Sequence, residues 1–220
     1  MTQNTTQIEA VLFDYGMVLS GPPNAAAWER ILSITGFDED GLHREYWKHR
    51  HPYDRGTHTG EAYWQLIAGG NGTTFDAAQI AGLIAADVDL WGDLNLPMVE
   101  WAQQLQRAGI RTGILSNIGD AMASGLLAKF AWLANFHHST WSHTLKLAKP
   151  EPEIYLHAAE CLATAPDKIL FIDDRADNIE AARNFGMQAI QYADHAQFVE
   201  EMYARGFGSL LHPEPTAPQK

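Results

Sequence analysis

The sequence VLFDYGMVLS at residues 11–20 places a short apolar run directly before Asp14. Such a run is too short for a helix, and its residue types are typical of a strand that is buried on both faces. Two later segments repeat the pattern, GILSN at residues 113–117 and ILFIDD at residues 169–174. We therefore predict three buried strands, each of which ends in polar side chains.

Segments with helical spacing separate these strands. They lie at residues 97–108, 151–163 and 175–185, and a fourth strand is predicted at residues 188–192. The alternation of strands and helices indicates an α/β fold with a parallel sheet. Ligands of such sheets bind at the carboxyl ends of the strands, so we expect the polar strand ends to face one crevice.

The segment at residues 24–93 lacks the buried-strand pattern. Helices are predicted in it at residues 25–34, 39–49, 60–68 and 76–90. We interpret it as a helical bundle that is inserted after the first strand and covers the crevice. The core then comprises residues 1–23 and 94–212, and the Pro-rich residues 213–220 are expected to be disordered.

Composition narrows the class of protein. The chain has 220 residues, 46% of them hydrophobic, and a formal net charge of −12. An acidic surface repels phosphate backbones and anionic lipids, so nucleic acid and membranes are disfavoured as partners. The first ten residues lack the pattern of a signal peptide, and a cytoplasmic location is predicted.

Cys161 has no second cysteine to pair with and is predicted to be a small core residue of a helix. The oligomeric state is left open.

The predicted crevice gathers carboxylates, one ammonium group, one hydroxyl and amides. They belong to Asp14, Ser116, Asn117, Lys149, Asp173, Asp174 and Asn178. Each has an ordinary explanation as a turn or cap residue, but their order and placement favour a common site. Three neighbouring carboxylates require a cation, and oxygen ligands with an anionic substrate favour Mg²⁺. Asp14 could attack a phosphoryl group that Mg²⁺, Lys149 and Ser116 hold.

Four segments, VLFDYGMVLS, ILSN, KPEPEIY and FIDDRADNIEAARNFGM, resemble the ordered motifs of the haloacid dehalogenase-like hydrolase superfamily. The resemblance extends from about residue 10 to residue 192. It implies a three-layer, Rossmann-like core with a helical C1 cap between the first and second motifs. Residues 53–67 are similar to a cap segment of the branch that contains bacterial glucose-1-phosphate phosphatases and the phosphatase domain of epoxide hydrolase.

The resemblance also implies a metal site. By this resemblance Asp14 is a Mg²⁺ ligand together with Asp174 and the backbone carbonyl of Gly16. Asp173 and Asn178 are expected to support these ligands from behind.

The implied reaction is the hydrolysis of a small phosphorylated metabolite, with a sugar phosphate as one candidate. Asp14 is the nucleophile and forms an aspartyl-phosphate. Ser116 and Asn117 are expected to bind the phosphoryl group, and Lys149 to steady it.

Gly16 departs from the pattern of the superfamily. Many of its phosphatases have a second Asp at this position, and that side chain is the general acid for the leaving group. A general acid contributes about 10²–10⁴-fold to a rate. We therefore predict a modest enzyme that favours good leaving groups, such as anomeric sugar phosphates, or takes an acid from the cap. Lys146 also stands where relatives often have Gly.

Other residues of the predicted cap are candidates for substrate recognition. Arg55, His51 or Tyr53 is expected to face the crevice. The tryptophans of this segment are predicted mainly to form its own core. His137 and His138 precede a predicted strand and suggest no site.

The same residues allow three alternative functions. A haloacid dehalogenase would use Asp14 without a metal, but Asp173 and Asp174 would then repel it. A phosphomutase would need the acid that Gly16 lacks. A phospho-ligand-binding protein that is weakened as a catalyst is the non-enzymatic alternative.

Overall fold

A parallel five-stranded sheet forms the centre of the computed structural model, which describes residues 7–214. The strands are β1 (Ala10–Phe13), β2 (Arg111–Ser116), β3 (His138–Trp141), β4 (Ile169–Asp173) and β5 (Gln188–Gln191). Their order is β3-β2-β1-β4-β5. β1 is central, and Phe13 lies opposite Ile114 of β2 and Ile172 of β4. The predicted α/β class with a parallel sheet is confirmed, and the carboxyl ends of β1, β2 and β4 are adjacent.

Helices cover both faces of this sheet. Those of the core are α5 (Leu96–Arg107), α6 (Asp120–Lys129), α7 (Ser142–Leu145), α8 (Pro152–Cys161), α9 (Ala176–Phe185) and α10 (His195–Ala204). Alternate residues of β1 point to opposite faces. Val11 and Phe13 join one apolar cluster with residues of α5, α6 and α10, whereas Ala10 and Leu12 join another with residues of α8 and α9. These layers confirm the Rossmann-like core.

The segment at residues 24–93, called here the helical segment, forms four helices. They are α1 (Ala25–Thr35), α2 (Glu39–Asp54), α3 (Gly60–Gly70) and α4 (Ala77–Leu90). They enclose an apolar cluster of their own, with Trp64 and Leu83 fully buried. The helical segment contacts the core through α6 and α7, and Lys129 Nζ lies 2.6 Å from Asp89 Oδ1. Its division from the core at residues 24 and 93 stays a prediction.

The prediction for Cys161 is wrong, because this residue is exposed. The face of α8 that packs on the sheet carries Ile154, Tyr155, Ala158 and Ala159. Helical spacing turns Cys161 away from that face. An apolar neighbourhood in sequence therefore did not place this thiol in the core.

Pro213 and Glu214 have no regular secondary structure, and residues 215–220 of the predicted disordered end lie outside the described residues. Within residues 7–214, no helix is both long and apolar enough to cross a membrane.

Candidate active site

Two neighbouring strands bring three carboxylates together. Asp14 follows β1, and its backbone N–H donates to the carbonyl of Ile172, 2.9 Å away. Asp173 ends β4 and Asp174 follows it. One carboxylate oxygen of each Asp lies within 4.8 Å of the others. The pairing of β1 with β4 thus builds the predicted acidic cluster.

Lys149 places its ammonium group between two of these carboxylates. Its Nζ lies 2.9 Å from Asp14 Oδ2 and 2.7 Å from Asp173 Oδ2. Burial opposes the charge of Lys149, but Asp14 and then Asp173 outweigh it and raise the pKa of the ammonium group. Lys149 therefore remains a cation at neutral pH, next to the predicted nucleophile.

The side chain of Asn117 holds the backbone of Lys149. Asn117 Nδ2 donates to the carbonyl of Lys149 at 2.9 Å, and the N–H of Lys149 donates to Asn117 Oδ1 at 2.8 Å. Ser116, at the end of β2, is buried but borders the cavity described below. The structure thus brings both residues to the site, while their binding of a phosphoryl group stays a prediction.

Asp173 is held by several donors. Asn178 Nδ2 lies 3.0 Å and 3.1 Å from its two oxygens, and the N–H of Arg175 donates to Oδ1 at 2.8 Å. Together with Lys149, these contacts occupy both oxygens of a fully buried carboxylate. Asp173 is thereby fixed behind Asp14 and Asp174, which both border the cavity.

The acidic cluster opens into a cavity of about 570 Å³ between the core and the helical segment. Residues of the helical segment in its wall are Trp47, Arg50, His51, Asp54 and Trp91. Of the three predicted recognition residues, only His51 borders the cavity. Tyr53 is buried and stacks on Tyr63 with 4.5 Å between ring centroids, and its hydroxyl accepts from the N–H of Met122. Arg55 forms an ion pair with Glu151 of the core.

Arg50 and Asp54 were not predicted as part of the site. Arg50 Nε donates to Asp54 Oδ2 at 3.1 Å, and Arg50 Nη1 lies 3.2 Å from both oxygens of Asp87. Burial raises the pKa of Asp54 to about 6, although Arg50 opposes this shift. Their spacing of four residues on one helix was a usable signal, but the predicted helix ended at residue 49.

The acidic cluster has more negative charge than Lys149 can neutralise. Burial raises the pKa of Asp14 to about 7. Lys149 acts to lower this pKa, whereas Asp173 and Asp174 act with burial to raise it. Burial and then Asp173 also raise the pKa of Asp174. Crowded carboxylate oxygens with raised pKa values are a donor set that fits a hard divalent cation. Gly16 also borders the cavity, and a Cβ added there would meet no atom within 4 Å.

Comparison with protein families agrees with this arrangement. The model of the haloacid dehalogenase-like hydrolase family matches residues 38–186. The chain belongs to this family.

Curated relatives match parts of the chain. Bifunctional epoxide hydrolase 2 of Rattus norvegicus is 29% identical over 113 residues, 50% of this chain and 20% of the relative. Phosphatase MT3486 of Mycobacterium tuberculosis is 33% identical over 88 residues, 40% of this chain and 41% of the relative. (S)-2-haloacid dehalogenase 4A of Burkholderia cepacia is 32% identical over 93 residues, 42% of this chain and 40% of the relative. Each match spans well under two thirds of the relative.

A solved structure shares the fold more completely. It is a haloacid dehalogenase family enzyme of Bacteroides thetaiotaomicron in complex with magnesium and inorganic phosphate. The TM-score is 0.70 with 21% identity, and the match covers 87% of this chain and 98% of that chain.

Proposed function

We propose that this hydrolase is a Mg²⁺-dependent phosphatase that hydrolyses a small phosphate monoester through an aspartyl-phosphate on Asp14. The observation that carries the proposal is the contact of Asp14 Oδ2 with Lys149 Nζ at 2.9 Å, within the cluster that includes Asp173 and Asp174. An ammonium group and a cation site beside a carboxylate neutralise the charge of an incoming phosphoryl group. The phosphatase among the relatives supports the same chemistry.

The reaction has two displacements at phosphorus. A carboxylate oxygen of Asp14 forms a bond to phosphorus while the bond from phosphorus to the ester oxygen breaks, and the leaving oxygen takes a proton. Water then attacks phosphorus while the bond from phosphorus to the Asp14 oxygen breaks, which restores the carboxylate and releases phosphate. The water gives its proton to the group that protonated the leaving oxygen. Lys149 holds phosphoryl oxygens in both steps, and Ser116 and Asn117, which border the cavity, help to bind them. Bound Mg²⁺, held by Asp14, Asp174 and the carbonyl of Gly16, would add further charge neutralisation.

Asp54 is our candidate for the general acid that Gly16 cannot provide. Asp54 borders the same cavity as Asp14. Burial raises the pKa of Asp54 to about 6, so Asp54 carries a proton in a fraction of the protein molecules near neutral pH. The helical segment then acts as a cap that both closes the cavity and donates the proton.

The cavity suits a small phosphorylated metabolite. Trp47 and Trp91 offer aromatic surface, and His51 offers a polar edge for the part of the substrate beyond the phosphoryl group. Aromatic faces of this kind pack against sugar rings, so a sugar phosphate remains our candidate substrate. A cytoplasmic location stays a prediction.

A haloacid dehalogenase is the alternative function, and one relative carries this name. It would use Asp14 to displace halide and would need no cation. The crowding of Asp173 and Asp174 next to Asp14 disfavours it, because both carboxylates add to the effect of burial, which raises the pKa of the nucleophile. A phospho-ligand-binding protein is the other alternative, and it predicts binding without turnover.

The test is phosphate release from a panel of phosphate esters, including sugar 1-phosphates, with Mg²⁺ or with EDTA. We expect release that needs Mg²⁺ and is lost in Asp14→Asn, whereas Asp167→Asn, which changes an exposed carboxylate elsewhere, keeps the activity. Halide release from 2-haloacids in EDTA would establish the dehalogenase instead. Binding of phosphate esters without release of phosphate would establish the binding protein.

A further inference from the structure

A second group of metal-ligating side chains lies at the edge of the sheet. His138 begins the edge strand β3, and α8 packs against this strand. His157 and Cys161 are four residues apart on α8, so they lie on the same side of the helix. One ring nitrogen of each His and the sulfur of Cys161 all lie within 4.8 Å of one another.

The distances suit a tetrahedral metal site. Cys161 Sγ lies 3.7 Å from Nε2 and 3.9 Å from Nδ1 of His157. The rings of His138 and His157 have centroids 5.5 Å apart. With Zn–N bonds of about 2.1 Å and Zn–S bonds of about 2.3 Å, tetrahedral ligands are about 3.6 Å apart. Sγ is almost equidistant from both ring nitrogens of His157, so metal binding requires this ring to rotate until one nitrogen points at the shared ion.

A hydrogen bond between the thiol of Cys161 and the ring of His157 would explain only one of these contacts. That hydrogen bond does not account for His138 Nε2, which is buried and has no hydrogen-bond partner within residues 7–214. A buried ring nitrogen without a partner is costly, and each such atom calls for an explanation. A metal ion bound to this nitrogen would provide the missing partner.

We infer that His138, His157 and Cys161 bind a thiophilic divalent transition ion, for which Zn²⁺ is the best match. Imidazole and thiolate ligands favour Zn²⁺, whereas the oxygen ligands of the acidic cluster favour Mg²⁺. Cys161 is exposed, which gives the ion an entry path and leaves its fourth position open to water. The site does not depend on the proposed function, because Lys149 precedes the start of α8 and Cys161 ends this helix of about 15 Å.

Co²⁺ is the probe, because its bond to a thiolate produces a charge-transfer absorption band. Tag-free, metal-free protein is titrated with Co²⁺ in excess Mg²⁺, which competes for oxygen ligands. We expect one Co²⁺ per chain, a charge-transfer band that Cys161→Ser abolishes, and affinity about tenfold or more weaker in His138→Ala and His157→Ala. The controls His212→Ala, at an exposed histidine, and Asp14→Asn should keep the band.

Zn²⁺ provides a second measurement on the same variants. Stoichiometric Zn²⁺ should displace Co²⁺, protect Cys161 from thiol reagents and raise the midpoint of thermal unfolding of the wild type. Far-ultraviolet circular dichroism checks that each variant is folded. If His138→Ala does not fold, the binding measurements on Cys161→Ser and His157→Ala test the inference. The inference is overturned if the wild type shows no thiolate band, or if His157→Ala binds Co²⁺ as tightly as the wild type.

Discussion

The side-chain amide of Asn117 forms two hydrogen bonds with the backbone of Lys149, one through Nδ2 at 2.9 Å and one through Oδ1 at 2.8 Å. This contact ties the end of β2 to the residue whose ammonium group touches Asp14. Asn117 therefore positions Lys149, whatever contact it also makes with substrate.

We expect Asn117→Ala to lower kcat about 10²-fold, because a small displacement of the ammonium group removes charge neutralisation in the transition state. Steady-state kinetics on the best ester of the panel measures this. Asn117→Asp keeps the acceptor but loses the donor, so a partial loss of kcat is expected. A rise in KM at unchanged kcat in both variants would contradict the positioning role.

Gly16→Asp should add a general acid to the site. Gly16 has φ −62° and ψ 133°, which any residue can adopt, and there is open space around its Cβ position. We expect kcat/KM for alkyl phosphates to rise about tenfold or more, and that for 4-nitrophenyl phosphate to change little, since its leaving group needs no acid. Gly16→Ala is the matched control and should give no gain. An unchanged rate for every ester in Gly16→Asp would count against the missing-acid hypothesis.

Asp54→Asn should lower the rate for alkyl phosphates about 10²-fold while the rate for 4-nitrophenyl phosphate falls much less. The reason is that Asn cannot donate the proton that Asp54 carries. The change also alters the ion pair with Arg50, so the free energy of unfolding is measured alongside. Adding Gly16→Asp to Asp54→Asn should restore part of the lost rate. Equal losses for both kinds of ester would show that Asp54 has only a structural role.

Removal of the metal should make stability depend on pH through Asp14. Burial raises the pKa of Asp14 from 3.8 to about 7 in the folded protein. Between these two values the folded chain holds a proton that the unfolded chain has released, so the free energy of unfolding falls as pH rises. Urea unfolding in EDTA at pH 5 and pH 8 should show a larger fall for the wild type than for Asp14→Asn. The same fall in both proteins would exclude this origin.

Lys146→Gly should stabilise the protein. Lys146 has φ 55° and ψ 31°, a left-handed conformation that costs about 1–2 kcal/mol for a residue with a Cβ. Glycine removes this cost but adds flexibility to the unfolded chain, so we expect a net gain of about 0.5–1 kcal/mol in the free energy of unfolding. Urea unfolding measures it. Lys146→Ala, which keeps the Cβ, should show no such gain, and a loss of stability in Lys146→Gly would contradict the argument.

The sequence predicted the sheet well because strands buried on both faces appear as short apolar runs. It did not predict α6 or α10. Gly125 of α6 lies close to α4, since an added Cβ would be 2.3 Å from Val88, and this tertiary contact is invisible in a helical pattern. For α10 a signal was available, because the side chain of Asp194 accepts from the N–H of Gln197 as an N-cap.

The residues at strand ends were predicted because strand order brings them together without knowledge of packing. Arg50 and Asp54 depend on where α2 ends and how it packs on the core, which periodicity does not give. The contact of His138 with α8 depends likewise on the packing of a helix against an edge strand. Side chains that meet through such packing need the structure.

The most direct test of the account is detection of the phosphoryl group on Asp14. The wild type is mixed with its best ester and Mg²⁺, quenched in acid within milliseconds, digested with pepsin and analysed by mass spectrometry. We predict a phosphorylated peptide that contains Asp14 in the wild type and none in Asp14→Asn or in EDTA. The proposal would be contradicted if phosphate is released rapidly from the ester while the Asp14 peptide stays unmodified at every quench time, and if Asp14→Asn keeps full activity.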